Sequence, residues 1–272
     1  MNGFVLKALD GSEIKDWRSW TRPKEPYQWR GGRSAMELAR AWFVSPVPLC
    51  PSEITDLFAS HPRTAGLTLL EGIPEHVTSL PERGAGRNHD LVLRGRGPNG
   101  DVVISVEAKV DEPFGETIGS YWDMARTSVA PSRAPERIKT LLSMVFGAKA
   151  SPDAEPWRGL RYQLLTAVAG TAIEACRRQA DTAVVVVHEF LTEQMDDKKL
   201  KVNTEDLKTF IGVLRNVPAS EIRQGRLYGP TILAQGKHLS RHVDLFIGKA
   251  VFDWSAKDGT LTNQSEPRPH QV

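Results

Sequence analysis

Two hydrophobic periods alternate along this chain, and the switches between them mark its elements. The stretch up to about Arg33 follows neither period. Trp17, Trp20 and Trp29 stand there among charges and prolines (Pro23, Pro26), a pattern for irregular structure packed on a domain. From Ser34, "SAMELARAWF" repeats apolar residues at helical spacing, with Ser34 in the N-cap position and Glu37 three residues on, a capping-box arrangement. Pro46 and Pro48 end this helix, and "PSEITDLFAS" begins a second, shorter one.

The period then changes to two. "GLTLLEGI" (66–73) reads as a first strand, "PERGAGRN" as a Gly/Arg loop and "HDLVLRG" as a second strand. Pro98-Asn99-Gly100 has turn chemistry, so the third strand, "DVVISVEAKV", should close a hairpin on the second. "EPFGETIGSYWDMA" and "APERIKTLLSMVFG" return to helical spacing. The longest helical pattern is 157–179, with Leu160, Leu164, Val168, Ala172 and Ala175 on its apolar face. "TAVVVVHEF" follows, and its four consecutive valines predict a central strand buried on both faces. A helix around Asp206–Leu214 and two strands, "GRLYGPTILA" and "VDLFIGKAVF", complete the order. The class is α/β: an N-terminal irregular segment (1–33), a single domain (34–255) and a polar tail (256–272) expected to be disordered.

Composition narrows the picture only a little. The chain has 272 residues and a net charge of +2, long enough for a large core and without the strong basic bias of many nucleic-acid binders. Two cysteines, Cys50 and Cys176, are too few for a disulfide framework or a zinc cluster. The N-terminus lacks the basic and apolar regions of a signal peptide, and no apolar run approaches the ~18 residues of a membrane span. The expectation is a cytoplasmic protein with no membrane partner. His238 and His242 have zinc-ligand spacing if helical, but no third ligand is evident.

The third strand carries the chemistry. By parity Val102, Ile104, Val106, Ala108 and Val110 share one unbroken apolar face, while Glu107 and Lys109 share the other, roughly 6.6 Å apart along the strand. Ionised groups in a half-buried strand are costly unless they are paired, bind a metal or face a cleft. The hairpin brings residues near 90 across from residues 107 to 110, so Asp90 converges on the same end. The plain alternative is a solvated cross-strand ion pair.

Asp90 followed by Glu107-Ala108-Lys109 on the adjacent strand resembles the PD-(D/E)xK nuclease superfamily, although His89 stands where that motif has its proline. The resemblance implies a restriction-endonuclease-like αβββαβ core from about Ser34 to Phe190, a mixed central sheet flanked by helices, with an extra C-terminal helix and strands. It also implies a metal-dependent nuclease acting on DNA, in a bacterial or phage defence or DNA-processing role, with Mg²⁺ as cofactor and Mn²⁺ as a substitute. Asp90, Glu107 and the Ala108 carbonyl would hold the metal, with Glu37 and Glu71 as further candidate ligands. Lys109 would orient or deprotonate the attacking water, or balance charge in the transition state. Arg87, Arg94, Arg161 and Gln163 are candidate substrate contacts, and Glu112 and Glu116 could reach a second metal. A homodimer would suit paired cuts in a duplex. The rival within this fold is a catalytically inactive module that binds nucleic acid or a protein.

Overall fold

The computed structural model describes residues 4–128, 132–193 and 195–254. The expected tail, 256–272, lies outside the described residues. Strand β1 (Val5–Leu6) precedes helices α1 (Ser34–Trp42) and α2 (Ser52–Ala59). Strands β2 (Thr68–Thr78), β3 (Arg87–Gly97) and β4 (Gly100–Lys109) follow, then helices α3 (Ile118–Thr127), α4 (Ala134–Phe146) and α5 (Tyr162–Arg177). Strand β5 (Thr182–Leu191), helix α6 (Asp197–Arg215) and strands β6 (Leu227–Ile232) and β7 (Asp244–Asp253) end the described chain.

All seven strands join one mixed sheet in the order β1-β2-β3-β4-β5-β7-β6, so the fold is α/β as the periodicity implied. The pairs β2/β3, β3/β4 and β6/β7 are antiparallel, and β1/β2, β4/β5 and β5/β7 are parallel. The β3–β4 hairpin turns through Pro98-Asn99, between the paired Gly97 and Gly100. Gly100 has φ +121°, which a residue with a side chain adopts only with strain, and a Cβ there would run into the Asp181 carboxylate.

The sheet has a core on each face. On one, α3 to α6 cover Val92, Val103, Val185, Val187 and Ile247. On the other, α1 and α2 cover Leu91, Leu93, Val184, Val186 and Phe246, together with the apolar set Val102, Ile104, Val106, Ala108 and Val110. The four valines of β5 are buried on both faces because β5 lies inside a parallel part of the sheet with helices above and below.

Some boundaries moved. The N-terminal segment is not wholly irregular: Val5 and Leu6 pair with Glu71 and Gly72, and Ile14 and Trp20 are buried. β2 runs five residues past the expected end at Ile73, through Pro74 and Glu75. Beyond Gly72, β1 no longer pairs with β2, so β2 becomes an edge strand there, and an edge tolerates a proline that cannot donate to a ladder. α5 starts at Tyr162 rather than 157, after a single turn of 3₁₀ helix at Trp157–Gly159. His238 and His242 lie in no helix, so the i, i+4 geometry needed for zinc is not formed, and His242 Nε2 sits 2.9 Å from an Asp244 oxygen instead.

Candidate functional site

The hairpin register carries three acids to one level of the sheet. Leu91 pairs with Pro74 on one side and Val106 on the other. The next position along each strand is Glu75 on β2, Asp90 on β3 and Glu107 on β4. The β3–β4 pairing stops at Leu91–Val106, and beyond it the Asp90 side chain takes over: its Oδ2 accepts the Ala108 N–H at 2.7 Å. Asp90 is thereby held against the residue that follows Glu107. Glu75 has a left-handed backbone, φ +55°, and accepts a hydrogen bond from Asn88 Nδ2 at 2.6 Å.

Glu107 and Lys109 are 3% and 6% exposed, far from a solvated surface pair. Lys109 Nζ lies 2.8 Å from Glu107 Oε1 and donates to Gln163 Oε1 at 3.2 Å, and it sits over the Phe114 ring. Gln163 Nε2 in turn donates to Glu107 Oε1 at 2.5 Å. The second Glu107 oxygen pairs with the Arg87 guanidinium. Gln163 is in the first turn of α5, and Gly170, two turns on, lets that helix approach β3: a Cβ there would come 3.1 Å from His89 and 3.2 Å from Arg87.

These neighbours set the protonation. Burial, reinforced by the Glu107 charge, pushes the Asp90 carboxyl up to about 8. Burial also raises Glu75, again helped by Glu107. For Glu107 burial acts in the same direction, but Arg87 and Lys109 outweigh it and hold the group below the usual carboxylate range. Three acids therefore face two cations, an excess of one negative charge if all ionise. Among the described residues, Arg87 Nε at this site and His89 Nε2 beside Gly170 are buried without a hydrogen-bond partner.

The groups open into a cavity of about 820 Å³. Segments 23–35, 80–88 and 112–116 contribute to its walls, and Tyr121, Arg137 and Tyr162 line it from the helices. Arg137 braces one wall by donating to the carbonyls of Pro81 (3.0 Å), Ala85 (2.8 Å) and Glu82 (3.3 Å). Glu112 and Glu116 line the cavity, with Glu112 bonded to the amides of Ser34 and Val110.

Four candidates lie elsewhere. Glu37 lines a different cavity and accepts the Gly32 N–H at 2.7 Å, so it caps the approach to α1 rather than forming a box with Ser34. Glu71 is four residues up β2 from Glu75, held by Lys7 (3.1 Å) and Arg94 (3.0 Å). That pairing also takes Arg94 away from the cavity. Arg161 is the N-cap residue of α5 and binds Asp206 and the Gly115 carbonyl at 2.8 and 2.7 Å. Arg87 and Gln163 do reach the site. The residue that pattern reading missed is Glu75, which lies past the 66–73 bounds read for the first strand; the β2–β3 pairing of Pro74 with Leu91 places it next to Asp90.

Among the described residues no group of three or more His, Cys, Asp and Glu side chains forms a ready metal cage. The donor set nonetheless suits a hard cation. It is all oxygen, and Asp90, raised by burial and then by the Glu107 charge, is a carboxyl that a bound cation would help to ionise. Also among them, no helix is long and apolar enough to cross a membrane. No curated protein and no solved structure matches the chain. One family model does match, over residues 11–253, and the chain therefore belongs to the family described as a domain of unknown function (DUF6946).

Proposed function

We propose that this protein is a metal-dependent nuclease of the PD-(D/E)xK type, hydrolysing phosphodiester bonds of DNA. The observation that carries the reading is the junction of Asp90 with Glu107-Ala108-Lys109: Asp90 bonds the Ala108 amide, and Lys109 and Glu107 share Gln163, all at one cavity. The run α1, β2–β4, α5, β5 supports it, since it contains the αβββαβ order of that fold with α2, α3 and α4 as additions.

Asp90, Glu107 and the Ala108 carbonyl would hold Mg²⁺, with Glu75 in place of Glu37 and Glu71 as the nearby extra carboxylate. When bound, the metal supplies a water of lowered pKa and screening of the phosphate charge. Glu107 has to exchange its Arg87 contact to serve as a ligand, and the released guanidinium is then free to meet a phosphate oxygen. Lys109 holds its ammonium at the cavity through Glu107 and Gln163, where it faces charge developing on the phosphoryl oxygens.

The same Arg87–Glu107–Lys109 cluster favours a second reading, an inactive module of this fold, because both Glu107 oxygens are already neutralised. Incubation of plasmid, linear duplex and single strands with Mg²⁺, Mn²⁺ or EDTA separates the two. Cleavage that needs metal and disappears in Glu107→Ala and Lys109→Ala supports the enzyme; binding without any cleavage supports the module; cleavage that survives both substitutions sinks the assignment of this site.

A further inference from the structure

The chemistry-bearing groups do not lie on an open face. Glu107 is 3% and Lys109 6% exposed, at the floor of a cavity of about 820 Å³ walled by three separate chain segments. A duplex carries its phosphates on the outside of a stiff rod, which has to bend or open before a phosphate enters a walled cavity. An unpaired nucleotide has no such barrier.

The walls suit a base. Tyr121 and Tyr162 pack on each other with ring centroids 4.5 Å apart and planes tilted by 32°, and both line the cavity. Tyr27 lines the same cavity from segment 23–35, 63% exposed, and among the described residues no ring or cation packs on its face. Asn88 and Gln28 add amide groups to the same lining. As paired in this structure, the cavity offers few free cations to a phosphate backbone. Of the cavity cations, Arg87 and Lys109 are paired with Glu107, Arg137 is spent on loop carbonyls, and Arg33 lies 3.8 Å from Asp111 and 3.9 Å from Glu112. Duplex binding without sequence preference draws its affinity from free Lys and Arg along the phosphates. Binding of single strands also uses cations along the backbone but adds aromatic faces, each stacked base contributing ~1–3 kcal/mol, or roughly 5- to 150-fold in affinity.

We infer that the substrate of this site is a strand with an unpaired nucleotide (a single strand, a flap or an extruded base), taken into the cavity with its base against tyrosine and its phosphate at Lys109. This rests on the nuclease reading for its catalytic part, but its recognition part is testable alone. Anisotropy of a labelled 12-nucleotide single strand and of the matching blunt duplex would be measured in EDTA with wild-type protein, Tyr27→Ala and Tyr27→Trp. The expected result is at least tenfold tighter binding of the single strand, a loss of at least fivefold in Tyr27→Ala and recovery in Tyr27→Trp. Equal or tighter binding of the duplex, or a Tyr27→Ala protein that binds like wild type, overturns the inference. In the cleavage arm, with Mn²⁺, single strands and flaps should be cut at least tenfold faster than paired duplex. Duplex cut equally fast overturns the inference and leaves the nuclease standing. No cleavage of any DNA, together with selective single-strand binding, removes the nuclease and leaves the recognition.

Discussion

Replacing Asp90 with Asn should stabilise the metal-free protein at alkaline pH and, on the proposed nuclease reading, remove its response to Mg²⁺. Asn keeps the shape and an oxygen that accepts the Ala108 N–H, so the substitution removes only the charge. The folded carboxyl is pushed up to about 8 by burial and by Glu107, against a reference value of 3.8. The folded state therefore holds a proton across that interval when the unfolded state has released it. Stability is fullest below the unfolded value, falls as pH rises from about 4 to about 8, and stays low above it. The full interval corresponds to ~5–6 kcal/mol at ~1.4 kcal/mol per unit. Asp90 is only partly buried by surface area, so water at its oxygen reduces this to ~2–4 kcal/mol. For a chain of this size that is a rise of about 5–10 °C in Tm at pH 8.5. Thermal and urea denaturation in EDTA between pH 4.5 and 8.5 measure it: the wild-type curve should slope downward and the Asp90→Asn curve should lie flatter. Adding Mg²⁺ should raise the wild type and leave Asp90→Asn unchanged. An Asn variant that is less stable than wild type at pH 8.5 in EDTA would refute the account, and would make Asp90 a purely structural hydrogen-bonding residue.

Removing the other acid should do the opposite. Glu107→Ala leaves Arg87 and Lys109 as buried cations without their partner, which costs ~3–5 kcal/mol in denaturant unfolding. A loss below ~1 kcal/mol would mean that solvent reaches this pair. Away from the site, Glu174 is pulled down to about 2: burial opposes this, but His76 and Arg178 outweigh it. Its contribution is present above about 4.5 and lost as pH falls toward 2, so Glu174→Gln should flatten the acid limb of the stability curve, by ~1–2 kcal/mol after screening. Arg137→Ala should release the carbonyls of Pro81, Glu82 and Ala85, and amide exchange in residues 80–88 should quicken at least tenfold while the core strands stay protected.

Much of the fold was legible in one dimension because its signals are local. The period-two apolar face of β4, the Pro-Asn-Gly turn and the valine run of β5 each follow from strand geometry alone, and they led to α/β and to Asp90, Glu107 and Lys109. Parity also gave the pairing of Glu107 with Lys109 on one face. Gln163 and Arg87 were within reach because the first turn of α5 and the start of β3 both border the hairpin end.

The partners of the other charges depended on packing between distant segments. Glu37 and Glu71 have the same chemistry as Glu75, yet Gly32, Lys7 and Arg94 hold the first two elsewhere. Which carboxylate faces Asp90 was decided by β2 continuing past Pro74, and that was possible only because β1 is two residues long and leaves β2 as an edge. Burial was likewise a tertiary outcome. "VEAK" reads the same whether its charges meet water or the floor of a cavity; α5 and segments 23–35, 80–88 and 112–116 place them in the second environment, where the Asp90 proton becomes hard to remove. The sequence alone determined the strands and the acid–lysine spacing, since neighbouring side chains and turn residues encode them. Only the tertiary structure decided depth, charge partners and the third acid, since these arise from contacts between residues up to a hundred positions apart.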